Sequence, residues 1–400
     1  MGIVAQPFPL SALPTTPRGP VLPEPSADAR RHSDRLSETI RQEIETAGGW
    51  ISFACFMELV LYEPGQGYYV AGAAKLGADG DFVTAPEISP LFGRTLARQI
   101  AQLLDGSAGQ VLELGAGSGA MAADVLGELR NIDRVPQRYL ILETSPQLAE
   151  RQRRTLLQRQ PALNDRIEWI SALPENLDGA VIANEVLDAL PAHLVAWRRD
   201  GLYERGVSWD DGFVWSERPL LPGALRSAAE AIGAEADYVS EISMVAPALV
   251  RSLSAVLRKG ALLLIDYGFG RREYYHPQRA QGTLMCHYRH RAHDDPFFLP
   301  GLQDLTAHVD FTAVAEAGID AGLKLLGYAT QAQFLVNCGI TELLERQPSE
   351  ATSSRFALTA GVQKLLSPAE MGELFKVIAL GRGIDGPLLG FSSGDKSRLL

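Results

Sequence analysis

The sequence predicts an α/β fold, a mostly parallel sheet with helices on both faces. Three observations predict it. Short apolar runs alternate with helix-period segments from about residue 90 onward. One such run, Val111 to Leu114, passes directly into a glycine-rich turn and then a helical stretch. The composition, 46% hydrophobic and 21% charged over 400 residues, is that of a chain that folds around a core.

Residues 1–28 hold Pro7, Pro9, Pro14, Pro17, Pro20, Pro23 and Pro25 without hydrophobic periodicity, and predict a disordered tail. Arg18 is the sole basic residue before Arg30, which is thin for a transit peptide, and the apolar stretch of a signal peptide is absent. A helix is expected over 29–46, closed by Gly48-Gly49, and a second over 53–62, ended by Glu63-Pro64-Gly65. Residues 91–104 form the clearest amphipathic helix: Phe92, Leu96, Ile100 and Leu103 share one face, Ser89 is the N-cap and Pro90 opens the first turn. Strands are expected over 111–114, 139–142, 167–170, 180–183 and 261–265, with helices over 120–130, 147–158 and 244–257 between them. Residues 193–199, 202–207 and 212–217, turned by Asp200-Gly201 and Asp211-Gly212, form an antiparallel addition. A strand over 323–329, helices through 366 and a last strand near 375–380 complete the chain. The expected organisation is therefore a tail (1–28), an N-terminal helical and loop region (29–108), and a main domain (109–390) with insertions near 191–240 and 270–310.

Charge narrows the function. Thirty-seven basic against 48 acidic residues give a net charge of −11, which disfavours nucleic-acid binding. The longest apolar stretch, 253–265, is broken by Arg258, Lys259 and Gly260, so no membrane span is expected. Cys55, Cys286 and Cys338 are too few and too scattered for a disulfide scaffold, and point to a reducing compartment, the cytoplasm.

Gly115, Gly117 and Gly119 lie where the chain turns from strand to helix and must approach a ligand without a Cβ in the way. Their spacing is G-x-G-x-G, not the G-x-G-x-x-G of dinucleotide enzymes. Glu113 just ahead would repel a phosphate but would welcome the ammonium of an amino-acid-like ligand. S-adenosylmethionine (SAM) meets both conditions. Glu143 closes the second strand, where an acid accepts the ribose hydroxyls of an adenosine. Asn184-Glu185 ends the fourth strand, at the crevice of an open α/β sheet, and the following residues keep Asp188 near that mouth.

Long motifs extend beyond the glycine turn. Pro64-Gly65-Gln66-Gly67-Tyr68-Tyr69, Gly80-Asp81-Phe82-Val83-Thr84-Ala85-Pro86-Glu87-Ile88-Ser89, Asn184-Glu185-Val186-Leu187-Asp188-Ala189 and Thr306-Ala307-His308-Val309-Asp310-Phe311 occur in one order. Over roughly residues 36–380 the chain resembles the MidA family, bacterial relatives of the mitochondrial complex I assembly methyltransferase. The resemblance implies a class I SAM-dependent methyltransferase fold, Rossmann-like, with SAM as cofactor. For the mitochondrial members it implies methylation of an arginine in a complex I subunit, so a protein acceptor is the expected partner here.

Arginine chemistry then asks for carboxylates. A guanidinium is delocalised and permanently charged, must be held before a nitrogen attacks, and must release a proton. Glu185 and Asp188 are the first candidates; Glu87 and Asp81, on stretches expected to fold over the SAM pocket, come next. Cofactor contacts fall to Glu113, Gly115, Gly117, Gly119, Glu143 and Asn184. An NAD-dependent dehydrogenase and a catalytically idle assembly chaperone are the competing readings. Residues 286–295 hold Cys286 and would bring His287, His290 and His293 close if helical, but Arg289 and Arg291 would repel a cation and no second cysteine lies near. The segment is expected to be a polar lid, together with 274–279, and no metal is expected. No Gly-x-Ser-x-Gly hydrolase turn occurs.

Overall fold

The computed structural model describes residues 22–70, 84–347 and 352–400. Its frame is an eight-stranded sheet, seven strands of which we number in chain order: β1 (Gln110–Leu114), β2 (Arg138–Leu142), β3 (Ile167–Ile170), β4 (Leu177–Asn184), β5 (Leu257–Phe269), β6 (Lys324–Thr330) and β7 (Phe375–Arg382), the short strand Val309–Asp310 adding to the end of β5. Their spatial order is β3-β2-β1-β4-β5-β7-β6. β1 to β5 pair in parallel, and β7 runs antiparallel between β5 and β6. The order reverses between β1 and β4, so a crevice opens there at the carboxyl ends of the strands.

Period-two alternation sorts the core into two layers. Val111, Ala180, Ile182 and Leu263 face the helices Pro90–Leu104 and Ala120–Asn131. Leu112, Val181, Leu262 and Leu264 face the helices Val245–Val256 and Phe311–Asp320. Ser89 caps the helix Pro90–Leu104, its Oγ accepting from Leu91 N. The helix Phe53–Tyr62 has the bounds its punctuation predicts.

Strand β5 is longer than expected. Arg258, Lys259 and Gly260 look like a break in the sequence, yet the strand absorbs them through a register shift between Leu257 and Lys259. Gly260 is required there: its φ is +128°, and a Cβ would meet Gly179 O at 1.7 Å.

A second, antiparallel sheet contains His193–Arg198, Gly201–Trp209, Phe213–Pro219 and Tyr238–Ile242, with Ile51–Ser52 added at one edge. Helices Ala27–Thr46 and Phe53–Tyr62 pack on it, burying Leu36, Ile40, Phe53 and Phe56 against Leu194 and Val207. The segment expected to be helical if it held a metal is a hairpin instead. Met285–Tyr288 pairs with Arg291–His293, and Asp304–Thr306 completes a small sheet. Cys286 faces His293 across the hairpin and is buried in the apolar cluster of the N-terminal helices. Arg289 and His290 make the turn at φ +48° and +60°. Among the described residues no group of three or more His, Cys, Asp or Glu has metal-binding geometry, and no helix is long and apolar enough to cross a membrane.

Candidate active site

A cavity of about 320 Å³ opens over the carboxyl ends of β1, β2 and β4. Gly115, Gly117 and Gly119 adopt φ of +62°, +54° and +82°, the left-handed region that side chains resist. A Cβ on Gly115 would press on Val186 Cγ2 at 3.1 Å, and one on Gly119 on Gln152 Cα at 3.2 Å. The turn is therefore tight on both sides before any ligand enters.

Glu113 shares the Val111 face of β1 and is fully buried. Its Oε2 accepts from the Tyr139 hydroxyl, while Oε1 finds no partner among the described residues. Burial raises its carboxyl to about 7, and the Tyr139 bond pulls the other way. Asn184 Oδ1 is likewise buried and unpartnered. Both side chains line the cavity, so two acceptors await a donor such as an ammonium.

Glu143 is held from two sides. Ser145 N donates to Oε1 (2.8 Å) and Gln152 Nε2 to Oε2 (2.8 Å). The second N–H of Gln152 reaches Gly117 O (3.2 Å), and its Oε1 accepts from Trp169 Nε1 (2.9 Å). Gln152 thus ties the glycine turn to the acid at the end of β2. Sequence reasoning missed it, because a glutamine on an amphipathic helix carries no local signal. Glu87, on the short helix Ala85–Ile88, accepts from the Ser118 hydroxyl and closes the cavity from above the turn. Asp81 lies outside the described residues.

Glu185 lines the same cavity at φ +52°, an uncommon conformation for a side chain of its size. Its backbone N–H donates to Ile265 O (2.9 Å), and its Oε1 accepts from Ala85 N (3.1 Å) and Asn184 Nδ2 (3.0 Å). Burial, then the nearby Asp188 charge, pushes its carboxyl up to about 8. Asp188 is near enough to couple but does not line this cavity. It borders a neighbouring one of about 280 Å³, across the segment 186–190. Its Oδ2 accepts from the Tyr267 hydroxyl (2.6 Å), its Oδ1 is buried and unpartnered, and burial raises it to about 6.

Behind both sits Asp266, at the carboxyl end of β5 and wholly buried. Its Oδ2 accepts from Leu187 N (2.9 Å) and Asp188 N (3.3 Å), and its Oδ1 from Tyr267 N (2.9 Å). Burial and the two neighbouring acids hold it well above the usual carboxylate range. The sequence carried a signal for it, an acid directly after the apolar run Leu262 to Ile265. Glu185, Asp188 and Asp266 form one buried acidic cluster, and among the described residues no lysine, arginine or histidine pairs with it. Tyr62 and Tyr69, also unassigned from sequence, complete the cavity wall on the β4 side.

Residues 92–329 match the family described as "Putative S-adenosyl-L-methionine-dependent methyltransferase". The zebrafish Danio rerio protein named protein arginine methyltransferase NDUFAF7, mitochondrial, is 31% identical, covering 84% of each chain. The Homo sapiens protein of the same name is 30% identical over 92% of this chain and 88% of its own. A Burkholderia thailandensis crystal structure bound to S-adenosyl-homocysteine is 51% identical, covers 95% of this chain and 100% of its own, and superposes with a TM-score of 0.92.

Proposed function

The chain belongs to the MidA family of SAM-dependent methyltransferases, and from that premise we propose that it methylates an arginine side chain of a protein. One observation carries the acceptor class: Glu185, Asp188 and Asp266 cluster beside the cofactor cavity without a described counter-cation. Buried acids so crowded stabilise a cation brought among them. The names of the curated relatives point the same way.

The cavity suits SAM on its own chemistry. Glu113 Oε1 and Asn184 Oδ1 supply acceptors for an ammonium, Glu143 for ribose hydroxyls, and the glycines leave room for backbone to touch the ligand. Bound SAM supplies a methyl group on a sulfonium. Glu185 then does the protein's chemical work in this reading. It lies on the cavity and, ionised by an incoming guanidinium, would hold that group and take the proton released as the C–N bond forms and the methyl's bond to sulfur breaks. Asp188, whose Oδ2 accepts from Tyr267, adds negative charge beside the site when ionised, and Asp266, accepting from the backbone N–H groups of Leu187 and Asp188, orients the segment 186–190. Glu87 stands over the turn through Ser118 and serves to close the site.

The resemblance to MidA proteins extends this reading to a respiratory complex I subunit as acceptor. Three unbridged cysteines support a reducing compartment, the cytoplasm, as the site of action.

Two binding results follow. Because Glu113 titrates near 7 in the free protein and must be ionised to receive an ammonium, SAM affinity should fall roughly three- to tenfold from pH 7 to pH 6. Calorimetry across that range checks it, and Glu113→Gln should flatten the profile. Glu143→Ala should weaken SAM about ten- to a hundredfold, the worth of a charged hydrogen-bond acceptor. Deoxyribose analogues should distinguish wild type from variant; equal discrimination by both would remove Glu143 from the ribose.

The direct test of function is transfer of labelled methyl from SAM to proteins of an extract of a strain lacking this gene. Acid hydrolysis should recover the label in methylarginine. Label in another residue, or none on protein, would contradict the reading.

A further inference from the structure

The cofactor cavity has two ends of different chemistry. On the β2 side Glu143 and Ser145 present polar groups. Because β1 lies between β2 and β4, the β4 side is a separate end, and there Tyr62, Tyr69, Ala189 and Leu190 stand beside Glu185. The two tyrosine rings stack with centroids 5.6 Å apart and planes at 24°. Both hydroxyls are already used: Tyr62 donates to Ala189 O (3.0 Å) and Tyr69 to Asp304 Oδ1 (2.9 Å). What the pair offers a ligand is therefore ring surface.

We propose that Tyr62 and Tyr69 form, with Glu185, a seat that selects a planar guanidinium over an ammonium. This rests on the arginine reading above and specifies how that site would choose its acceptor. A guanidinium lies flat on an aromatic ring, sheds its weak hydration at little cost, and still points N–H groups at a carboxylate. A lysine ammonium is a compact, strongly hydrated charge that gains little from a flat wall. The fixed hydroxyls give the wall its rigidity. Tyr62 is anchored to the segment that follows Glu185, and Tyr69 to the strand Asp304–Thr306, so both rings hold their places before the acceptor arrives.

The test uses the full chain saturated with S-adenosyl-homocysteine and three probes of similar shape: N-acetyl-arginine amide, N-acetyl-lysine amide and neutral N-acetyl-citrulline amide. Calorimetry should show the arginine probe binding best and the citrulline probe worst. Tyr62→Leu and Tyr69→Leu should each weaken the arginine probe about three- to thirtyfold, the range of a cation–π contact. Tyr62→Phe and Tyr69→Phe, which keep the ring, should lose no more than about twofold. Far-ultraviolet circular dichroism and the melting temperature, unchanged in the two Phe variants and retained as a cooperative transition in the two Leu variants, report that the fold survives. The proposal is overturned if the Phe variants lose as much as the Leu variants, since the hydroxyl anchors alone would then matter. It is equally overturned if the wild type binds the lysine or citrulline probe as tightly as arginine, a comparison that needs no variant. Failure of the arginine reading itself appears elsewhere, as absence of labelled methylarginine in extract proteins.

Discussion

Glu185→Gln should leave SAM bound and slow methyl transfer by roughly a hundredfold or more, the usual worth of a group that takes a proton in the reaction. The amide keeps the size of the side chain, and its Oε1 still accepts from Ala85 N and Asn184 Nδ2, so the cavity wall should stand. What disappears is the ability to carry charge. The free protein holds Glu185 near 8, so at pH 7 its side chain is mostly protonated until a guanidinium arrives, while the unfolded chain's carboxyl is ionised and favours unfolding. The sign of the linkage is explicit. A carboxyl raised above its unfolded value of about 4.3 stabilises the fold fully below that pH, and that stability is lost as pH rises through about 8. The variant should therefore melt with the wild type near pH 4, gain on it as pH rises from there, and stand well above it near pH 9, while its transfer rate stays low throughout. Asp188→Asn should slow transfer less and chiefly by weakening the acceptor, because Asp188 borders the neighbouring cavity rather than this one. Wild-type rates in both variants, measured with an acceptor from the labelling experiment, would remove the carboxylates from the chemistry.

Gly117→Val should abolish measurable SAM binding. Gly117 has φ +54°, where a β-branched side chain is a severe outlier, so the turn must shift or strain. Its carbonyl also accepts from Gln152, the same side chain that fixes Glu143. Moving the turn therefore disturbs both the backbone surface under the ligand and the ribose acid. Circular dichroism should show a folded protein, because the turn borders a cavity and not the centre of either core layer. A folded Gly117→Val protein with unchanged SAM affinity would sink the placement of the cofactor.

The parts of this site that were legible in the sequence are those set by backbone chemistry. A buried run ending in three spaced glycines fixes the turn after β1, and acids at strand ends fall at the mouth of the crevice by the logic of a parallel sheet. Turn punctuation likewise bounds the helix Phe53–Tyr62, and Ser89-Pro90 opens the next. What stayed hidden depends on tertiary contact. Gln152 gains its meaning only when its helix lays it between Gly117, Glu143 and Trp169. Tyr62 and Tyr69 meet the cofactor cavity because the N-terminal helices pack on the inserted sheet, an arrangement no periodicity reveals. The hairpin at Met285–Tyr288 was obscured because its turn uses Arg289 and His290 at positive φ, without the glycine or asparagine that would mark it. Asp188 shows the limit of reasoning by sequence distance. Three residues beyond Glu185, it turns into a different cavity while still sharing the electrostatics of the first.

The measurement that tests the central claim most directly is mass spectrometry of protein methylarginine in a strain lacking this gene, complemented with either wild type or Glu185→Gln. At least one methylated arginine should vanish with the gene, return with the wild-type chain, and stay absent with the amide variant expressed at equal level. An unchanged methylarginine profile on loss of the gene, or full restoration by Glu185→Gln, would contradict the account.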